Sequence, residues 1–218
     1  IGGRFEYLTA NGTLEPNAVF YGSQYQERVG YVLSGAGDIN GDGLDDFIIG
    51  TFHHSTGGYD AGCVYLILGR AEADYGMSFD LNNADAIFLG ALLEAVGFHI
   101  AGRGDINGDG YDDILIGAPA GNDQVAYKPG RLYIVFGRPD AVWGTNCYLF
   151  EKADAIYDGE NAQDLAARTV AFIGDLNKDG CDEFLIAAPY NDDGGRDAGK
   201  VYLIRGKREG WSRSAKLT

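Results

Sequence analysis

Short apolar runs of strand length recur along this chain at nearly constant spacing. One set is Asp46-Phe47-Ile48-Ile49-Gly50, Asp113-Ile114-Leu115-Ile116-Gly117 and Glu183-Phe184-Leu185-Ile186-Ala187, which read as buried strands. A second set, Gly62–Gly69, Gly130–Gly137 and Gly199–Gly206, carries glycine at both ends of an apolar stretch, the mark of a strand between turns. Shorter segments at Val29–Ser34, Val96–Ala101 and Thr169–Ile173, and upstream segments at Ala18–Gly22, Ala86–Gly90 and Ala155–Gly159, bring the expectation to four strands per repeat. Helical periodicity is confined to Glu160–Arg168, where one or two turns are expected.

Between the short segments and the first set lies a repeated loop. Gly37-Asp38-Ile39-Asn40-Gly41-Asp42-Gly43 returns at Gly104–Gly110 and, slightly changed, at Gly174–Gly180, offsets of 67 and 70 residues. Repeats of this length with four strands each fit propeller blades. The expected fold is therefore all-β, with 1–218 forming one propeller region. Its blade-type repeats are placed at about 23–90, 91–159 and 160–218, and a strand at 17–22 completes another blade. Closed propellers need about four to eight blades, so three imply either a partial ring continued by adjoining blades of a longer chain or a homodimer closing a six-bladed ring.

Composition narrows the partners. The formal net charge is −15, from 17 basic and 32 acidic side chains, so phosphate backbones are repelled and nucleic acid is excluded as a partner. No apolar run reaches the roughly 18 residues of a membrane span. Cys63, Cys147 and Cys181 are odd in number and lack metal-ligand spacing, so they support neither a disulfide framework nor a zinc site; their redox state is left open.

The loops hold four carboxylates each, twelve of the 32, and their oxygens fall at regular intervals. Counting Asp38 as position one, side-chain oxygens stand at one, three, five and nine, and a backbone carbonyl at seven can join them. The expected ligand sets are Asp38, Asn40, Asp42, the Leu44 carbonyl and Asp46; Asp105, Asn107, Asp109, the Tyr111 carbonyl and Asp113; and Asp175, Asn177, Asp179, the Cys181 carbonyl and Glu183. An all-oxygen set of this kind suits Ca²⁺, which takes 6–8 oxygens in flexible geometry. About one ion per repeat is expected, three per chain, with the third site weakest because Lys178 stands beside a longer Glu183. The loops start like an EF-hand, but position twelve is Ile49, Ile116 or Ile186, and a strand follows at once.

With Val29-Gly30-Tyr31, Val96-Gly97-Phe98, Gly117-Ala118-Pro119 and Ala187-Ala188-Pro189 flanking these loops, the chain resembles the FG-GAP repeats of integrin alpha-subunit propellers. The Phe79-Asp80-Leu81 segment ahead of Ala86–Gly90 looks closest to the bacterial and cyanobacterial branch. Gly50-Thr51-Phe52 and Arg168-Thr169-Val170 depart from the signatures. The resemblance implies calcium hairpins between a blade's first two strands and a secreted or cell-surface protein. The function expected is noncatalytic adhesion or binding of a protein or glycan ligand. Loops opposite the calcium hairpins would carry recognition, with Tyr59, Tyr127, Tyr190, Trp143 and Trp211 as candidate contacts. A propeller-type hydrolase or a carbohydrate-binding lectin is the alternative. His53, His54 and His99 are assigned polar or core roles, because no Ser/His/Asp or Cys/His arrangement accompanies them.

Overall fold

The computed structural model describes residues 16–71, 74–119, 129–140 and 142–218. The apolar runs after the aspartate loops form β3 (Asp46–Thr51), β8 (Asp113–Ala118) and β13 (Glu183–Ala188), each hydrogen-bonded on both sides. Across the loop, each pairs antiparallel with the strand before it: β2 (Val32–Gly37), β7 (His99–Gly104) and β12 (Thr169–Gly174). On the other side lie β4 (Cys63–Ile67), β9 (Arg131–Val135) and β14 (Lys200–Ile204). In the first two sheets β6 (Ala86–Leu89) and β11 (Ala155–Asp158) add the fourth antiparallel strand. The protein is all-β, with sheets of the propeller-blade kind.

Four strands per repeat understates the first two sheets and overstates the third. A fifth strand, β10 (Gly144–Tyr148), lies parallel on β6, and β15 (Ala215–Lys216) lies parallel on β11. The third sheet has three strands among the described residues. The same parallel relation joins β1 (Phe20–Tyr21) to β5 (Phe79–Asp80). A 3-10 turn at Leu81–Asn83, and the one-turn helix α1 (Leu149–Lys152), then carry the chain from β5 and β10 into β6 and β11. Each link thus overlaps the outer strand of the preceding unit before starting its own.

Two further expectations are corrected. The first strands begin at Val32 and His99, three residues later than the apolar pattern indicates. Arg28 and Gly30, and likewise Ala95 and Gly97, have positive φ, which turns the chain before it can extend. At Gly97 (φ +77°) a β-carbon would also lie 2.6 Å from the Cys63 carbonyl oxygen, so glycine is required where two sheets meet. Glu160–Arg168 is a series of turns rather than helix, because Gln163, Leu165 and Ala167 are all left-handed.

Strand alternation divides the core between sheets. Ile48, Val64, Leu66 and Phe88 meet Ile114, Ile116, Tyr133 and Val135 between the first and second sheets. Leu115, Leu132 and Ile134 meet Phe184, Ile186 and Tyr202 between the second and third. The outward faces of the end sheets expose Leu33 on one side and Val201 and Leu203 on the other. Cys63, Cys147 and Cys181 are free and buried. No helix among the described residues is long and apolar enough to cross a membrane.

Candidate functional site

Antiparallel pairing puts two kinds of loop at opposite ends of each sheet. The aspartate loops join β2 to β3, β7 to β8 and β12 to β13 at one end. The segments before β2, β7 and β12, together with the β3–β4 loop, gather at the other.

At the aspartate end, the first carboxylate of each loop organises the backbone. Asp38 Oδ1 accepts from the Gly41 and Asp42 amides and Oδ2 from Gly43. Asp105 repeats this with Gly108, Asp109 and Gly110. Asp42 and Asp109 accept from the amides two residues on and from the Asn40 and Asn107 side chains. The closing carboxylates are buried: Asp46 accepts from Ile39 and Gly69, Asp113 from Ile106 and Gly137. Desolvation pushes Asp46 up to about 6 and Asp113 up to about 8, against those amide bonds and with help from the neighbouring loop aspartates.

The third loop is built differently. Asp175 accepts from Asp179 and Gly180, but Glu183 reaches across to the Asn177 side chain as well as to the Leu176 amide. Lys178 adopts φ +62° where Gly41 and Gly108 stand at +74° and +69°.

A donor set of carboxylate, amide and carbonyl oxygens fits a hard cation. Among the described residues no Lys or Arg pairs with Asp38, Asp42, Asp46, Asp105, Asp109 or Asp113, so their charge is not met by a side chain. The loop carboxylates are turned onto their own amides; among the described residues, only Glu27, His54 and Cys63 bring three ligand atoms within 4.8 Å of one another.

The eighth loop position, which sequence spacing left unassigned, links the blades. Asp112 accepts from the Asp38 amide at 2.9 Å and Asp182 from the Asp105 amide at 3.1 Å, while Asp45 pairs with Arg103 at 2.7 Å. Its signal was available: aspartate recurs there in all three repeats.

The opposite end is aromatic and partly cationic. Tyr31, Phe52 and Phe98 form a cluster with ring centroids 4.4 and 5.3 Å apart, and the Arg168 guanidinium lies 5.0 Å over Phe98 and 5.9 Å over Tyr190. Beside them is a cavity of about 130 Å³ lined by Phe52, His53, Asp60, Leu93, Phe98 and Arg168. His53 is held there by Asp60 at 2.8 Å and lies 3.1 Å from Arg28. Of the expected contacts, Tyr59 and Tyr190 are exposed here, and Tyr127 lies outside the described residues. Trp143 packs edge-on against Phe88, and Trp211 packs edge-on against Phe136 and stacks on Phe184. His99 sits on β7, where burial lowers its pKa, close to the Val170 amide.

Beneath this end each blade has a buried acid, a feature the sequence reading passed over. These are Glu27, Glu94 and Asp164; Glu27 bonds the Tyr65 hydroxyl and Glu94 the Tyr133 hydroxyl, while in the third blade the Tyr202 hydroxyl bonds the half-buried Glu160 instead. Glu27, Glu94 and Asp164 also accept from the amide three residues back.

Residues 98–135 and 166–204 match the family model for the FG-GAP repeat. The chain is built from FG-GAP repeats of the integrin-like kind. It is 26% identical to Integrin alpha pat-2 of Caenorhabditis elegans over 215 residues, 96% of this chain and 16% of that protein. It is 30% identical to Integrin alpha-V of Gallus gallus over 190 residues, 84% of this chain and 16% of that protein. It is also 30% identical to Phosphatidylinositol-glycan-specific phospholipase D of Homo sapiens over 203 residues, 89% of this chain and 22% of that protein. The chain thus spans less than a quarter of these relatives. None of the three is bacterial, and the expected affinity to a bacterial branch rests on the Phe79-Asp80-Leu81 segment alone.

Proposed function

We propose that this chain is a noncatalytic ligand-binding or adhesion module of secreted or cell-surface type, with one Ca²⁺ stabilising each blade. The observation that carries it is the division of labour between ends: acid loops with unmet charge at one, an aromatic and guanidinium-lined cavity at the other. Asp38, Asn40, Asp42, the Leu44 carbonyl and Asp46, with their counterparts in the other two loops, would hold the ions. When bound, the ion neutralises the carboxylates and ties the ends of two strands together. The chain's own residues do the rest. Asp112 and Asp182 pass that stiffness to the next loop through backbone amides. Arg168, Phe98 and Phe52 offer a planar cation and ring faces to an anionic or aromatic group of a protein or glycan ligand.

Relatives named integrin alpha favour the adhesion reading. The phospholipase relatives favour a second one, in which the same propeller serves as an accessory part of a hydrolase. Glycan and protein arrays with and without chelator test the first, using Arg168→Ala and Phe98→Ala as controls. Calcium-dependent binding lost in both variants supports it. Turnover of ester or phosphodiester substrates by this chain, without array binding, favours the second.

The exposed Leu33, Val201 and Leu203 faces are assigned to contact with adjoining blades or a second copy. Sedimentation distinguishes these, since a homodimer doubles the mass.

A further inference from the structure

The three blades surround the acids at this end in different ways. In the second, Arg131 Nη1 lies 3.1 Å from Glu94 and its Nε 2.6 Å from Asp158. In the third, the buried Asp164 accepts from the Asn191 side-chain amide at 2.7 Å, and Lys200 Nζ lies 2.5 Å from the half-buried Glu160 and 2.7 Å from Asp193. Arg131 and Lys200 occupy one register position, opposite Ala118 and Ala188. In the first blade that position, opposite Thr51, is Cys63. Glu27 is only 2% exposed and has no Lys or Arg beside it among the described residues. What it has is His54, whose Nε2 lies 3.8 Å from Glu27 Oε1, and the Cys63 thiol; the three ligand atoms lie within 4.8 Å of one another.

We propose that Glu27, His54 and Cys63 bind one zinc-type divalent cation, which supplies to the buried acid of the first blade the positive charge that Arg131 supplies to Glu94 in the second. Carboxylate, imidazole and thiolate are the donors this ion prefers, and tetrahedral coordination at about 2.0–2.3 Å places neighbouring ligand atoms roughly 3.4 Å apart. The 3.8 Å separation of Oε1 and Nε2 is within a few tenths of an ångström of that edge. Binding breaks the Cys63 S–H bond, forms an S–metal bond and releases the proton to solvent.

The surroundings already orient two ligands. Glu27 Oε2 accepts from the Ser23 and Gln24 amides, and the Tyr65 hydroxyl bonds Oε1. Gln24 Nε2 lies 3.0 Å from His54 Nε2 and must rotate aside, while the Thr56 amide contact to Nδ1 is long, at 3.4 Å, and opposes the required tautomer weakly. Once formed, the site joins the segment before β2, the β3–β4 loop and β4 beneath the aromatic end. Oxygen-ligated calcium loops at the other end are a separate chemistry, so this proposal does not rest on them.

The test is cobalt substitution. Chelator-stripped protein is titrated with Co²⁺ in excess Ca²⁺, which keeps the oxygen loops out of the measurement. One equivalent is expected to give a thiolate-to-cobalt charge-transfer band with intense visible absorption, abolished by one equivalent of Zn²⁺. Cys63→Ser and His54→Asn should lose the band, whereas Cys147→Ser should keep it. Because a buried variant can misfold, thiol alkylation of the unmodified protein in mild denaturant is followed in parallel: Zn²⁺ should protect Cys63 selectively. No charge-transfer band in the unmodified protein, an unchanged band in Cys63→Ser, or equal alkylation with and without Zn²⁺ overturns the proposal.

Discussion

Lys178→Gly isolates the cost of breaking the repeat inside the third loop. Lys178 is exposed, makes no hydrogen bond or ion pair among the described residues, and holds φ +62° at a place where the other loops have glycine. An L-residue in this region is disfavoured by roughly 1–2 kcal/mol. Glycine offsets part of this by raising the entropy of the unfolded chain, by roughly 0.5–1 kcal/mol. The net expectation is a gain of about 0.5–1 kcal/mol in chelator, where no ion contributes. For a chain of this size that is a rise in Tm of about 1–4 °C. Lys178→Asn separates backbone from charge, since asparagine tolerates the left-handed region yet removes the cation. Urea unfolding of the three proteins in chelator gives the backbone effect. Repetition in Ca²⁺ adds the charge effect, because a lysine beside Asp175, Asp179 and Glu183 competes with a bound cation. Both variants should therefore gain more from Ca²⁺ than the parent does. A Lys178→Gly protein less stable than the parent in chelator would refute the strain argument. Identical calcium-induced shifts in all three would refute the charge argument.

Other outcomes follow from the same geometry. Asp42→Ala and Asp109→Ala should each lower Tm in Ca²⁺ and remove most of the chelator sensitivity of that blade, read by thermal scans with and without chelator. Arg131→Met leaves Glu94 buried without its cation, and with the guanidinium one-third exposed the cost should be about 2 kcal/mol; Glu94→Gln in the same background should recover part of it in urea titrations. Val201→Lys with Leu203→Lys should leave Tm nearly unchanged, because both side chains are exposed, yet abolish any self-association seen by sedimentation.

The parts of this fold that could be read from sequence are those whose cause is local. β3, β8 and β13 are short apolar runs beside an aspartate loop, and pattern alone locates them. The start of β2 and of β7 was missed because the deciding fact is a backbone angle: Arg28 and Ala95 are left-handed although nothing in their side chains asks for it. The added strands β10 and β15 were missed for a different reason. Gly144-Thr145-Asn146 has no strand pattern of its own, and it becomes one only because the edge of β6 is there to pair with.

The loops illustrate both situations at once. Their spacing was plain, and so was the chemistry it suits, yet Asp45, Asp112 and Asp182 were left unassigned because their partners lie in neighbouring repeats. Pairwise alignment of the repeats shows what is shared, but the chemically informative positions are those where one copy departs. Lys178 replaces a glycine and brings strain and charge to a single loop. Cys63 replaces Arg131 and Lys200, leaving a buried carboxylate with imidazole and thiol in place of a cation. A buried carboxylate must be neutralised by a proton, a side chain or an ion. The second blade uses Arg131 and the third surrounds Asp164 with the Asn161 and Asn191 amides, so in the first, which has neither, the Cys63 and His54 donors favour the ion.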